Sequence, residues 1–107
     1  MHSCGAIYHV IDQIIDSGVD CIHPIQAKAD KMDADTLAKS FKGRVTFMGG
    51  VDAQHLMTGG TPDEIKAEVS RVKSLLAPGL IVSPSHEAIL PNVPPENVEA
   101  LAQAAFE

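Results

Sequence analysis

The feature that most constrains this chain is an alternation of two hydrophobic periods, in which short apolar runs are separated by segments whose apolar residues recur every three or four positions. Ile7, Val10, Ile11, Ile14 and Ile15 mark one helix face over about 6–17, with Asp12, Gln13 and Asp16 opposite and Gly18 placed as the stop. Val19-Asp20-Cys21-Ile22-His23-Pro24-Ile25 follows, mostly apolar and interrupted near its end by proline, as a buried strand running into a loop should be. Asp33 is placed to cap a helix over about 34–42, with Met32 and Leu37 as a hydrophobic staple and Gly43 just past its end. The run from Arg44 to Met48 reads as the next strand, ended by Gly49-Gly50. Thr61-Pro62-Asp63-Glu64 combines a capping box with proline at the first helical position, and Ile65, Val69, Val72 and Leu76 supply that helix's buried face. Gly79 to Ser83 gives a further strand, and Pro94-Pro95-Glu96 opens a last helix whose apolar face holds Val98, Leu101 and Ala105.

Helices alternating with short apolar strands are the pattern of βαβ units around a parallel sheet, so the fold class is α/β. With 107 residues, against roughly 250 for a complete eight-stranded barrel, the chain holds one domain and only part of a (β/α)8 TIM barrel. About three to four βα units are expected over 1–107, and Met1 to Gly5 reads as the end of a strand whose apolar beginning is missing. Such a sheet has two open edges. Its inner face, expected to carry Ile22, Val45, Phe47, Ile81 and Val82, would meet water unless a second copy covered it, so a homodimer or higher oligomer is expected.

Composition removes several function classes. A net charge of −6, with only eight Lys and Arg, gives no basic field for a nucleic-acid backbone. No apolar run approaches the roughly 20 residues that span a bilayer, and no secretory leader precedes the first helix, so a cytoplasmic location is expected. Two cysteines, Cys4 and Cys21, are too few for a disulfide framework and read as free thiols, metal ligands or core residues. Aromatic residues make up 4% of the chain and Trp is absent, which predicts an aliphatic core.

In parallel α/β folds, functional groups gather beyond the C-terminal ends of the strands. Reading past each expected strand end gives His2 and Cys4, then His23 and Gln26, then Asp52, Gln54 and His55, then Ser83, Ser85 and His86. His2 and Cys4 stand two apart on an extended segment, so both side chains can reach one metal ion; the plain alternative is an incidental pair at a chain terminus. Asp52 can cap the segment 53–57 or hold polar atoms of a substrate. His86 lies in a strand-end loop without hydrophobic pattern, which suits a functional role. Cys21 and His23 read as structural, and His9 and His55 as solvated.

Taken together, His2-Ser3-Cys4-Gly5, Gly18-Val19-Asp20, His23-Pro24-Ile25-Gln26, Phe47-Met48-Gly49-Gly50-Val51-Asp52, Gly60-Thr61-Pro62-Asp63-Glu64 and Asn92-Val93-Pro94-Pro95-Glu96-Asn97 resemble the C-terminal third of the uroporphyrinogen decarboxylase superfamily. The resemblance runs in order through the whole chain. It implies either cofactor-free decarboxylation of a tetrapyrrole or methyl transfer between a corrinoid and a thiol activated on zinc. His2-x-Cys4 resembles the first two ligands of the methyltransferases' H-x-C…C zinc motif, which places this chain nearer that branch. The third cysteine of the motif, expected near residues 83–86, is absent, and His86 is the candidate nitrogen substitute. Ser85-His86 also resembles the decarboxylases' late substrate-binding histidine, and His86 joins Gln26 and Asp52, read from their places past the strand ends, as the expected substrate contacts. The resemblance assigns no catalytic residue. It further implies a corrinoid protein as partner, or an N-terminal half of the barrel carrying the tetrapyrrole-binding arginines and aspartate. Without that half the chain alone is expected to be inactive, and a non-catalytic half-barrel scaffold that binds a small ligand or metal is the remaining alternative.

Overall fold

A computed structural model of the chain describes residues 1–85, 89 and 91–107. Its first element is a 3-10 turn, Tyr8–Val10, running into helix α1, Ile11–Asp16. The expected single helix over 6–17 is thus split, and neither start has a side-chain cap to extend the regular turns. The remaining order is β1 (Cys21–Ile25), α2 (Ala34–Phe41), β2 (Thr46–Val51), α3 (Leu56–Gly59), α4 (Pro62–Leu76), β3 (Leu80–Pro84) and α5 (Pro95–Phe106).

The three strands form one parallel sheet in the order β1-β2-β3. Residues 1–3 add a short fourth element at the β1 edge: His2 bridges His23 in parallel, the His23 amide donates to the Met1 carbonyl and the Ser3 amide to that of His23. Helices α2 and α4 pack on one side of the sheet, with α5 against α4. Sequential parallel strands with helical crossovers are what a segment of a (β/α)8 barrel looks like.

Local sequence explains where the helices begin. The Asp33 carboxylate accepts from the Thr36 amide at 3.1 Å and from the Thr36 hydroxyl at 2.8 Å, and these bonds hold its pKa below the ordinary carboxylate value. A carboxylate whose pKa is lower in the folded state stabilises the fold above its unfolded pKa, and that contribution fades as pH falls through the folded value. Met32 and Leu37 are both fully buried, as the staple requires. At α4 both halves of the capping box form: the Glu64 amide donates to Thr61 Oγ1 and the Thr61 amide to Glu64 Oε1, each at 3.2 Å. Thr61→Ala is expected to lower stability by about 0.5–2 kcal/mol, read as a fall in the urea unfolding midpoint. An unchanged midpoint would show that the cap is dispensable.

Burial corrects one expectation. Ile22 and Phe47 share a register, are almost completely buried, and face the helices, where they pack with Ile11, Met32, Leu37, Val72 and Leu76. Alternation then turns Cys21, His23, Thr46, Met48 and Ile81 to the opposite, helix-free face. Ile22, Val45 and Phe47 therefore do not line an open inner face, and Val82 likewise packs on the helix side. Ile81, 48% exposed, does lie on it.

The last helix is also rotated from expectation. Its buried stripe is Asn97, Ala100, Leu101 and Ala104, while Val98 and Ala105 are only half-buried. Asn97 Nδ2 donates to the carbonyls of Met57 and Gly60 at 2.9 and 3.0 Å, tying the start of α5 to the end of α3. Lys73 Nζ, on α4, reaches the carbonyls of Ala104 and Glu107 at 3.2 and 2.7 Å, and so caps the other end of α5.

Candidate functional site

The helix-free side of the sheet carries the one close cluster of imidazole and thiol groups among the described residues. His2 is held on the edge element by the backbone bonds around β1, which place its ring beside that of His23 on the neighbouring strand. The two Nδ1 atoms are 3.0 Å apart. On the other side of the same ring, His2 Nε2 stands 3.4 Å from Cys4 Sγ. Cys4 and His2 are exposed and His23 is half-buried. Gln26, just past β1, fixes the segment that follows Cys4 by accepting from the Gly5 amide at 2.8 Å through Oε1.

The spacing suits a shared metal. Donors about 2.3 Å (sulfur) and 2.0–2.1 Å (nitrogen) from one tetrahedral zinc lie roughly 3.5 Å apart, close to the separation of Cys4 Sγ and His2 Nε2. Two donors fit, but among the described residues no group of three or more His, Cys, Asp or Glu side chains is placed to hold a metal ion. His86, the candidate third ligand and a candidate substrate contact, lies outside the described residues.

Asp52 does the work of a cap. Its carboxylate accepts from the amides of Gln54, His55 and Leu56 at 3.1–3.2 Å and is only 5% exposed. Ser85 is buried beside it, its Oγ accepting from the Ala53 amide at 3.1 Å and its amide donating to Val51. These bonds lash the end of β3 to the loop after β2. An open cleft of about 550 Å³ runs from Asp52 and His55 along α2 and α4, and it does not include His2, Cys4 or His23. Several of its charged groups have partners: Asp33 and Glu64 serve caps, and Arg71 bonds Glu68 at 2.7 Å and Asp35 at 3.1 Å. The histidine–cysteine cluster lies apart from this cleft.

The family model of uroporphyrinogen decarboxylase (URO-D) matches residues 1–107. The chain belongs to the URO-D family. Comparison with curated proteins and with solved structures gives no match. URO-D membership agrees with the parallel sheet and its helical crossovers, and it makes the helix-free face of the sheet the barrel's interior side. Among the described residues no helix is long and apolar enough to cross a membrane.

Sequence reasoning named His2, Cys4, Gln26 and Asp52 as candidates and read His23 as structural; the structure places the His23 ring beside that of His2. The signal for that proximity is strand register: residues 1–3, read as a strand end, need only be laid beside β1 to bring His2 against His23.

Proposed function

We propose that this URO-D domain carries two ligands of a thiol-activating zinc site, of the kind used by the methyltransferase-like H-x-C members of the superfamily. In full-length relatives of that branch the reaction is methyl transfer between a corrinoid and a thiol, with the corrinoid carried by a partner protein. The observation that supports this reading is the 3.4 Å approach of His2 Nε2 and Cys4 Sγ on one face of an ordered strand edge. When bound, zinc stabilises a thiolate, the nucleophilic form of a thiol, at neutral pH. The chain's own part is positional. Backbone bonds to β1 fix the His2 main chain, and Gln26 holds Gly5. The decarboxylase reading has weaker support, because the carboxylate of Asp52 and the amide oxygen of Gln26 are engaged by backbone amides.

Zinc uptake, followed by competition with a chromogenic chelator, tests the proposal. The chain should bind zinc with modest affinity, since only two ligands are in place, and Cys4→Ala should weaken that binding by at least about tenfold. Equal uptake by the Cys4→Ala and unaltered chains would remove the methyltransferase reading, and formation of coproporphyrinogen from uroporphyrinogen above a no-protein control would put the decarboxylase in its place.

A further inference from the structure

We infer that Gln26 is the positioning residue for Cys4: its side-chain oxygen takes the Gly5 amide and so pins the chain just beyond the cysteine, where the strand ladder no longer reaches. The consequence for metal binding rests on the zinc reading above, whereas the clamp itself does not.

Cys4 stands between two anchors. Before it, the Ser3 amide donates to the His23 carbonyl at 2.8 Å, which ties the edge element to β1. After it, the Gly5 amide donates to Gln26 Oε1, also at 2.8 Å. Among the described residues, Cys4, Gly5 and Ala6 make no backbone–backbone hydrogen bond, so one side-chain oxygen carries the second anchor by itself. The orientation of the Gln26 amide follows from chemistry, since a backbone N–H can only donate and the atom facing it must be the oxygen. That oxygen is therefore committed to Gly5, and the expected substrate contact at this position has only the Nε2 group left to offer. Gln26 is itself well placed to hold something else. It directly follows Ile25, which pairs with Gly49 on β2, and its own carbonyl accepts from the Ala29 amide at 2.8 Å. Cys4 is exposed, so packing does little to restrain it. The two flanking bonds are what keep its sulfur 3.4 Å from His2 Nε2, and a ligand ordered before the metal arrives spends less of the binding free energy on ordering.

Two readouts test this, with Gln26→Glu keeping an oxygen at the same reach and Gln26→Met keeping the length without it. Nitrogen-15 relaxation of the metal-free chain should give Cys4 and Gly5 order parameters of about 0.85 in the unaltered chain and in Gln26→Glu, falling toward about 0.6 or below in Gln26→Met. Zinc affinity, measured with zinc(II) alone by chelator competition, should fall about tenfold or more in Gln26→Met and stay within a few-fold in Gln26→Glu. Because glutamate lacks the amide N–H pair, its rescue assigns the effect to the oxygen rather than to Nε2. Circular dichroism checks that each variant is folded, and Gln26→Asn, whose oxygen falls one carbon short of Gly5, takes the place of Gln26→Met if that chain is not. Order parameters or a zinc affinity indifferent to Gln26→Met, or an equal loss in Gln26→Met and Gln26→Glu, would overturn the inference. If the unaltered chain takes up no zinc, the zinc reading fails by itself, and the metal-free relaxation still decides the role of Gln26.

Discussion

Replacing Gly49 by alanine is expected to cost more than about 3 kcal/mol, a large share of the roughly 5–15 kcal/mol that holds a small domain together. A Cβ at Gly49 would stand 2.5 Å from the Ile25 amide nitrogen and 3.0 Å from its carbonyl oxygen. Both are backbone atoms of the paired strand, so no side chain can swing aside. Relief requires β1 and β2 to part where Ile25 pairs with Gly49, at the end of the sheet that carries Gln26. The backbone adds a second penalty, because Gly49 has φ +132, a region that side-chain-bearing residues rarely occupy. Gly50→Ala should be milder despite φ +94, because its Cβ would meet only the Val72 methyl Cγ1, at 3.2 Å. Gly59→Ala, with nothing within 4 Å and no positive φ, serves as the control. Urea unfolding of the three variants gives the ranking, and a Gly49→Ala chain within 1 kcal/mol of the unaltered one would refute the close-approach argument.

The same pair of glycines shows where sequence reading stops. Gly49-Gly50 reads as the end of a strand because glycine usually punctuates, yet β2 runs through both to Val51. The reason is tertiary: the strand needs missing side chains there because β1 and α4 come so close. Helix starts at Asp33 and Thr61 were legible because a cap involves only a residue and its neighbour three positions on. Ile22 and Phe47 were correctly read as apolar strand residues but put on the wrong side, since alternation tells which residues share a face and not what covers it. Asn97 was invisible to a search for apolar stripes, because a buried amide earns its place through two carbonyls that belong to a different element. His2 and Cys4 could be paired from spacing alone, while His23 needed the register across 21 residues.

Self-association is the other large effect expected. The sheet consists of residues 1–3, β1, β2 and β3, and among the described residues its two outermost strands have no further strand partner. Exposed strand edges present unpaired amides and carbonyls to any chain that can match them. Met1, at 52% exposure, marks one edge and Ile81, at 48%, the other. A two-fold axis coincident with the barrel axis would set β3 of one copy parallel to residues 1–3 of its partner, twice, and four strands from each copy make the eight with which a (β/α)8 barrel closes. Each large apolar side chain taken from full exposure to burial contributes roughly 1.5–3 kcal/mol, so half-exposed Ile81 and Met1 contribute about half of that at each of two seams. The chain is therefore expected to elute at twice its monomer mass of 11.3 kDa or more at micromolar concentration. Ile81→Glu, which puts a charge at the seam and leaves the helix-side core of Ile22 and Phe47 untouched, should shift the population toward the monomer and lower the unfolding midpoint. Size-exclusion chromatography with light scattering over a hundredfold range of concentration measures both the mass and its dilution. A single species at 11.3 kDa, unfolding cooperatively and indifferent to Ile81→Glu, would mean that the open sheet is stable without a partner.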